Sequence, residues 1–145
     1  MADPDLLAVA AVDPVAAALA HLRRHPVVTE AFGGPGLISG LVEAPWPRLR
    51  VLPGPGGDLR GLRWDTAGEV TIEVISDPAG WPGSAELRRL TVLAAAALVE
   101  LPDVDPPPAG PVVSHVKPTS PAPAFTELTS GAIRYSLTLQ VVMHP

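Results

Sequence analysis

Cysteine is absent from this 145-residue chain, which excludes disulfides and thiolate chemistry and leaves redox compartment unmarked. Aromatic residues make up 4%, so a core must be built from Val, Leu, Ile and Ala. Charge is sparse, at 17% of residues, with a net charge of -5. There is neither a polybasic patch for nucleic acid nor an acidic tail. The longest uninterrupted apolar run, residues 92–99, falls far short of the ~20 residues that span a bilayer. The first five residues are acidic, and the apolar run 6–12 lacks the basic flank of a signal peptide. A soluble, unexported protein without a membrane partner is the expectation.

Proline and glycine are plentiful instead, with 19 and 13 residues. They cluster between periodic segments, and the positive mean hydropathy argues against disorder. The chain reads as one domain over 1–145, long enough to bury about 70% of its unfolded surface. Residues 53–61, 102–111 and 118–130 read as flexible loops. Residues 1–12 are either an N-terminal arm or a further helical turn or two.

Asp13-Pro14 starts a helix, with Asp as N-cap and Pro at the first helical position. Val15, Ala18, Leu19 and Leu22 share one face, and Arg23 and Arg24 suit the negative end of the helix dipole. Pro26 ends it. A glycine-rich segment over 31–40 carries a short apolar Leu37-Ile38. Residues 48–52 then alternate as a strand, with Leu49 and Val51 opposite Arg48 and Arg50. Residues 62–65 can begin the next strand. Its clearest part is 69–75, with Val70, Ile72 and Val74 inward and Glu69, Thr71 and Glu73 outward.

Ser84 is placed to cap a helix running to Leu101, with Glu86 in its first turn. Leu87, Leu90, Ala94, Ala97, Leu98 and Leu101 fall within an arc of about 100° that faces the sheet. Val92, Ala95, Ala96 and Val99 make the other side apolar as well. A helix apolar on both sides is covered on both, here by the first helix or by another subunit. Residues 112–116 form a short strand. Residues 132–143 form the longest one, with Ile133, Tyr135, Leu137, Leu139 and Val141 on one face. Such clean alternation favours antiparallel pairing. The fold class is therefore α+β, a mostly antiparallel β-sheet with two helices packed on one face.

No catalytic constellation emerges. His21 and His25 have the i, i+4 spacing of metal ligands, yet no Glu follows the first and no third ligand lies nearby, so both read as solvent-facing. Asp103-Val104-Asp105 resembles a magnesium-binding pair, but prolines follow at once and no phosphate-binding group accompanies it. Gly54-Pro55-Gly56-Gly57 fails the dinucleotide fingerprint because position 59 is Leu, and no Gly-Lys-Ser/Thr exists. Ser120 and Ser130 lack a nucleophile-elbow context. Glu69 and Glu73 lie about 14 Å apart along a strand, too far to work on one bond. Arg48, Arg50 and Arg134 can form a basic stripe on one sheet face, pairing with those glutamates. Neither an enzyme nor a metal or cofactor carrier is expected.

Taken together, the layout resembles the tail-terminator (tail-completion, neck) proteins of long-tailed bacteriophages. The resemblance runs through the helix closing in Arg24-His25-Pro26-Val27-Val28 and a glycine turn into Pro45-Trp46-Pro47-Arg48-Leu49-Arg50-Val51. It continues with Trp64 and the 69–75 strand leading into the Ala-rich helix. It ends in Gly131-Ala132-Ile133-Arg134-Tyr135-Ser136-Leu137. The motifs are diffuse, and the likeness covers most of the chain.

The resemblance implies a tail-terminator-like α+β fold and a structural virion protein without cofactor or catalysis. Its ring, of six subunits, caps the tail tube, ends tail polymerisation and joins head-completion proteins. The implied partners are further copies of the chain, the major tail tube protein, a head-completion or stopper protein, and genomic DNA passing through the lumen without specific binding. The implied address is the tail–head junction of the virion, with assembly in the host cytoplasm. On this reading Glu69, Glu73, Arg48, Arg50 and Arg134 face the lumen or an interface, and Val92, Ala95, Ala96 and Val99 face a subunit. The alternatives are a head–tail adaptor or stopper of the same neck region, and a small non-enzymatic cytoplasmic binding module.

Overall fold

The computed structural model describes residues 6–58, 66–104 and 111–145. A short helix α1 (Leu6–Ala10) leads into α2 (Pro14–Arg24). Asp13 caps α2 as its chemistry dictates: its Oδ1 accepts from the backbone N–H groups of Val15 and Ala16, at 3.0 and 3.1 Å. Pro26 closes α2, but it also opens a further helix that the sequence reading missed, α3 (Pro26–Phe32). Proline breaks a helix from within and favours the first position of the next, so one residue performs both tasks. Gly33, at φ 90°, ends α3 in the left-handed conformation.

Among the described residues, six strands form one sheet: β1 (Ile38–Ser39), β2 (Arg48–Asp58), β3 (Thr66–Ile75), β4 (Val112–Pro118), β5 (Ala124–Glu127) and β6 (Ile133–His144). Their spatial order is β1-β2-β3-β6-β4, with β5 alongside the opening residues of β6 and β4 alongside its closing residues. Short β1 pairs parallel to β2, and the other pairings are antiparallel. The expected α+β architecture stands. Two of its loops are more ordered than expected, however.

Residues 53–58 continue β2 rather than looping out, while 59–61 lie outside the described residues, as do 62–65. Proline is tolerated there because little beyond the two residues of β1 needs a donor from that edge, and the register shifts between Pro53 and Gly57. Gly54 is required by crowding, since a Cβ on it would lie 2.7 Å from Glu69 Cβ. Within 118–130, β5 is a true strand whose four residues are too few to show a period. Within 102–111, Leu101–Asp103 form a single 3-10 turn, and 105–110 lie outside the described residues.

The second long helix, α4 (Ser84–Val99), begins after Gly83. Ser84 is its first residue rather than its cap, and no side chain caps this end. Helices α2 and α4 lie side by side on one face of the sheet, with α3 packed against both. Between the layers, Leu49, Val70, Ile72, Val74, Leu139 and Val141 meet Ala18, Leu22, Leu87, Leu90, Ala94 and Leu98, all essentially inaccessible to solvent. Burial of each such Leu or Ile contributes roughly 1.5–3 kcal/mol before chain entropy is subtracted. At one end of the sheet Ser76 ties β3 to β6: its backbone N–H donates to Ile133 O at 2.9 Å, and its Oγ accepts from Ile133 N at 2.8 Å.

Candidate assembly surfaces

The sheet face away from the helices carries the polar residues of β2, β3 and β6. Antiparallel register brings Arg50 opposite Glu73 and Glu73 opposite Ser136, with Arg134 opposite Ile75 one step away. Glu73 is thereby held between two guanidinium groups. Its Oε2 accepts from Arg50 Nη1 and its Oε1 from Arg134 Nη1, both at 3.4 Å. Only 7% of Glu73 is exposed. The expected outward pair of glutamates is therefore corrected at this position: Glu73 is a neutralised, largely buried charge, while Glu69 remains half-buried on the same face. Next to them Thr71 and Thr138 face each other across β3 and β6, with their hydroxyl oxygens 3.0 Å apart.

Arg48 does not join an open stripe either. It is 4% exposed. Its Nη2 donates to Gly36 O at 3.0 Å and to Ser39 Oγ at 3.3 Å, and its Nη1 donates to Glu43 O at 3.1 Å. Glu43 also places a carboxylate oxygen 3.5 Å from Arg48 Nη2. An arginine this buried needs fixed acceptors; both Nη groups find them, though the buried Nε does not, and the side chain pins the 3-10 turn Pro35–Leu37, β1 and the segment before β2 to one another. Arg50 and Arg134 stay about one-third exposed and mark what remains of the basic stripe.

On the helix side, α4 splits as its periodicity dictates. Leu87, Leu90, Ala94, Ala97 and Leu98 are buried, whereas Val92 is 44% exposed and Val99 43%. Ala96 is exposed too, but Ala95 is buried, because the loop between β4 and β5 rises beside it. That loop, with Pro118, Pro121 and Pro123, forms one wall of an apolar groove of about 370 Å³. Val92, Ala95, Ala96 and Val99 form the other wall, and Leu137 of β6 lines it as well. Arg88 supplies the charge on its lining. Neighbouring Arg89 is engaged elsewhere, paired with Glu86 at 2.6 Å, and this holds the Glu86 carboxyl below the usual carboxylate range.

The histidines depart from expectation. His21 is buried between α2 and α4, and its Nε2 lies 2.8 Å from Ala97 O. A carbonyl can only accept, so Nε2 carries the proton and donates. Ala97 belongs to the last turn of α4, where its carbonyl also accepts from the backbone N–H of Glu100 at 3.2 Å, so His21 adds a second donor from a neighbouring helix. Burial lowers the His21 pKa below its ordinary 6.5, the bond to Ala97 opposes that, and the nearby His25 lowers it further. The His25 ring stands edge-on to His21, with centroids 5.6 Å apart, and its Nε2 lies 3.1 Å from Glu100 Oε2. The i, i+4 spacing thus serves a helix–helix junction. His21 offers no Nε2 lone pair to a metal, and among the described residues no three His, Asp or Glu side chains converge on one point.

The remaining polar candidates are likewise absorbed by turns. Ser120 Oγ accepts from Thr138 N at 3.2 Å, and Ser130 Oγ accepts from Ala132 N at 3.4 Å. Asp103 ends the turn after α4, and Asp105 lies outside the described residues. The apolar groove had half a signal in the sequence, the second apolar side of α4. Its proline wall had none, because only the tertiary fold brings residues 118–123 beside residues 92–99. Exposed Val27 on α3 had none either, since that helix was not foreseen. No described helix is long and apolar enough to cross a membrane.

No protein-family model matches the chain, and no curated protein sequence matches it. Among solved structures, it is similar in fold to a chain of the virion of a native gene transfer agent particle, with a TM-score of 0.64 and 16% sequence identity. The likeness covers 97% of this chain and 100% of that one, so the α+β fold of helices on one face of a mixed sheet is shared from end to end.

Proposed function

We propose that this chain is a structural protein of a phage-like virion, acting as a ring that caps the tail tube, ends its polymerisation and joins the tail to head-completion proteins. The observation that carries the reading is the end-to-end fold likeness to a chain of a gene transfer agent virion. The half-exposed valines of α4 beside an apolar groove support it, because a lone subunit gains nothing by leaving them wet. The role is non-enzymatic: the polar groups singled out in the sequence hold turns, strands and helix ends together rather than converging on a reacting bond.

In this ring the polar sheet face lines the lumen, where Glu69, Arg50 and Arg134 meet passing DNA and Glu73 and Arg48 keep the face and its edge in shape. Charge of both signs close together binds DNA weakly, which suits a conduit. Glu69→Lys is expected to leave rings intact and impair DNA passage, and unchanged particle infectivity or DNA delivery would count against the lumenal assignment.

The reading is tested by negative-stain microscopy of the purified chain, alone and with tail tubes. Six-fold rings, free or seated on tube ends, support it, as do overlong headless tails in a deletion strain. A chain that stays monomeric and never joins tubes sinks it.

A further inference from the structure

We propose that the α3 shoulder of one copy docks into the α4 groove of the next copy, with Val27 seated between α4 and the proline wall and Glu30 opposite Arg88. This contact rests on the ring reading above and specifies which surfaces close the ring. Two of the exposed apolar clusters lie toward opposite ends of the sheet. One flank follows α3 through a 3-10 turn to β1, the last strand on that side of the sheet. There Val27 is 53% exposed, and Leu41 and Val42 are exposed just beyond β1. The other flank is the α4 groove, beside β6 and the loop from β4 to β5.

The two flanks differ in charge as well as position. Val27 and Glu30 lie one helical turn apart on α3 and share its exposed face. Glu30 makes no ion pair or side-chain hydrogen bond among the described residues, and the same is true of Arg88 at the groove. A carboxylate beside an apolar knob thus matches a guanidinium beside an apolar groove. Because the surfaces are unlike and lie on opposite sides, their pairing is head-to-tail. Such pairing generates rings when the rotation between copies closes.

Strand-to-strand joining is disfavoured along β4 and along the far part of β2. The β4 edge carries a bulge between Val113 and His115, then Lys117 and Pro118, and the β2 edge carries Pro53 at a register shift. These features blunt edges against pairing. Side-chain docking between flanks needs neither of these edges.

The test uses the full chain in sedimentation velocity and electron microscopy. Glu30→Arg and Arg88→Glu should each raise the concentration for half-assembly by about tenfold or more. Combining the two should restore assembly. Val92→Asp should abolish it while leaving the unfolding midpoint of the subunit unchanged, since Val92 lies outside the core. Rings that form unaltered in both single variants, or a double variant that fails to recover, would overturn the contact and leave the ring reading standing. An unmodified chain that stays monomeric at every concentration, with or without tubes, overturns the ring reading and this contact with it.

Discussion

Pro14, the first residue of α2, rests directly on Gly68 of β3, so that a Cβ at position 68 would lie 2.6 Å from Pro14 Cγ. The helix can reach this depth only because the strand offers no side chain there. Gly68→Ala must push the start of α2 away from the sheet, at an expected cost of about 1–3 kcal/mol. Gly36→Ala, with open space around the new methyl, serves as the control. Thermal unfolding of the two variants should separate them, and equal midpoints would show that α2 yields freely.

Asp13 bears on the same junction from outside the helix. Its carboxylate satisfies two N–H groups that α2 cannot satisfy itself. Asp13→Ala should cost about 1 kcal/mol in urea unfolding, and Asp13→Ser should recover most of it.

Removing the carboxylate of Glu73 leaves Arg50 and Arg134 facing each other with no anion between them. Because the arginines are about one-third exposed, water screens part of the penalty. Glu73→Gln should therefore destabilise by about 1–3 kcal/mol, less at high salt than at low salt. Combining it with Arg134→Met should cost less than the sum of the single changes, as a double-mutant cycle would measure.

Acidification should loosen the α2–α4 junction through His21. Its folded pKa lies below its ordinary value of 6.5, so between the two the unfolded chain binds more protons. The stabilisation is present in full above pH 6.5 and is lost as the pH falls toward the folded pKa. Denaturant unfolding from pH 7.5 to pH 5 should show this loss in the unmodified chain and a flatter profile in His21→Asn. Identical profiles would exclude His21 as the source.

The sequence was most legible where one periodicity ran uninterrupted against one partner layer. Residues 69–75, 132–143 and 87–98 each declared a face, and the apolar residues of those faces are buried or half-buried in the fold. Position alone said too little where a side chain serves two elements at once. Arg48, Glu73 and His21 alternate or repeat as surface residues should, yet each is drawn inward by partners far away in sequence: Gly36 and Ser39, Arg50 and Arg134, and Ala97. Short elements were illegible for a different reason. The two residues of β1, the four of β5 and the seven of α3 are fixed by neighbours rather than by their own pattern.

Strand β6 lies between β3 and β4 although it is the latest of the six in sequence. Until it leaves the ribosome, the whole edge of β3 from Thr66 to Ile75 has no partner, and β4 and β5 have nothing to lie against. The sheet therefore assembles only once β6 has been translated, by pairings that run from Ile75 with Arg134 to Thr66 with Met143, across about 60 to 77 residues. An unpartnered β3 is also a sticky one, since until β6 arrives it presents a free row of strand hydrogen-bonding groups.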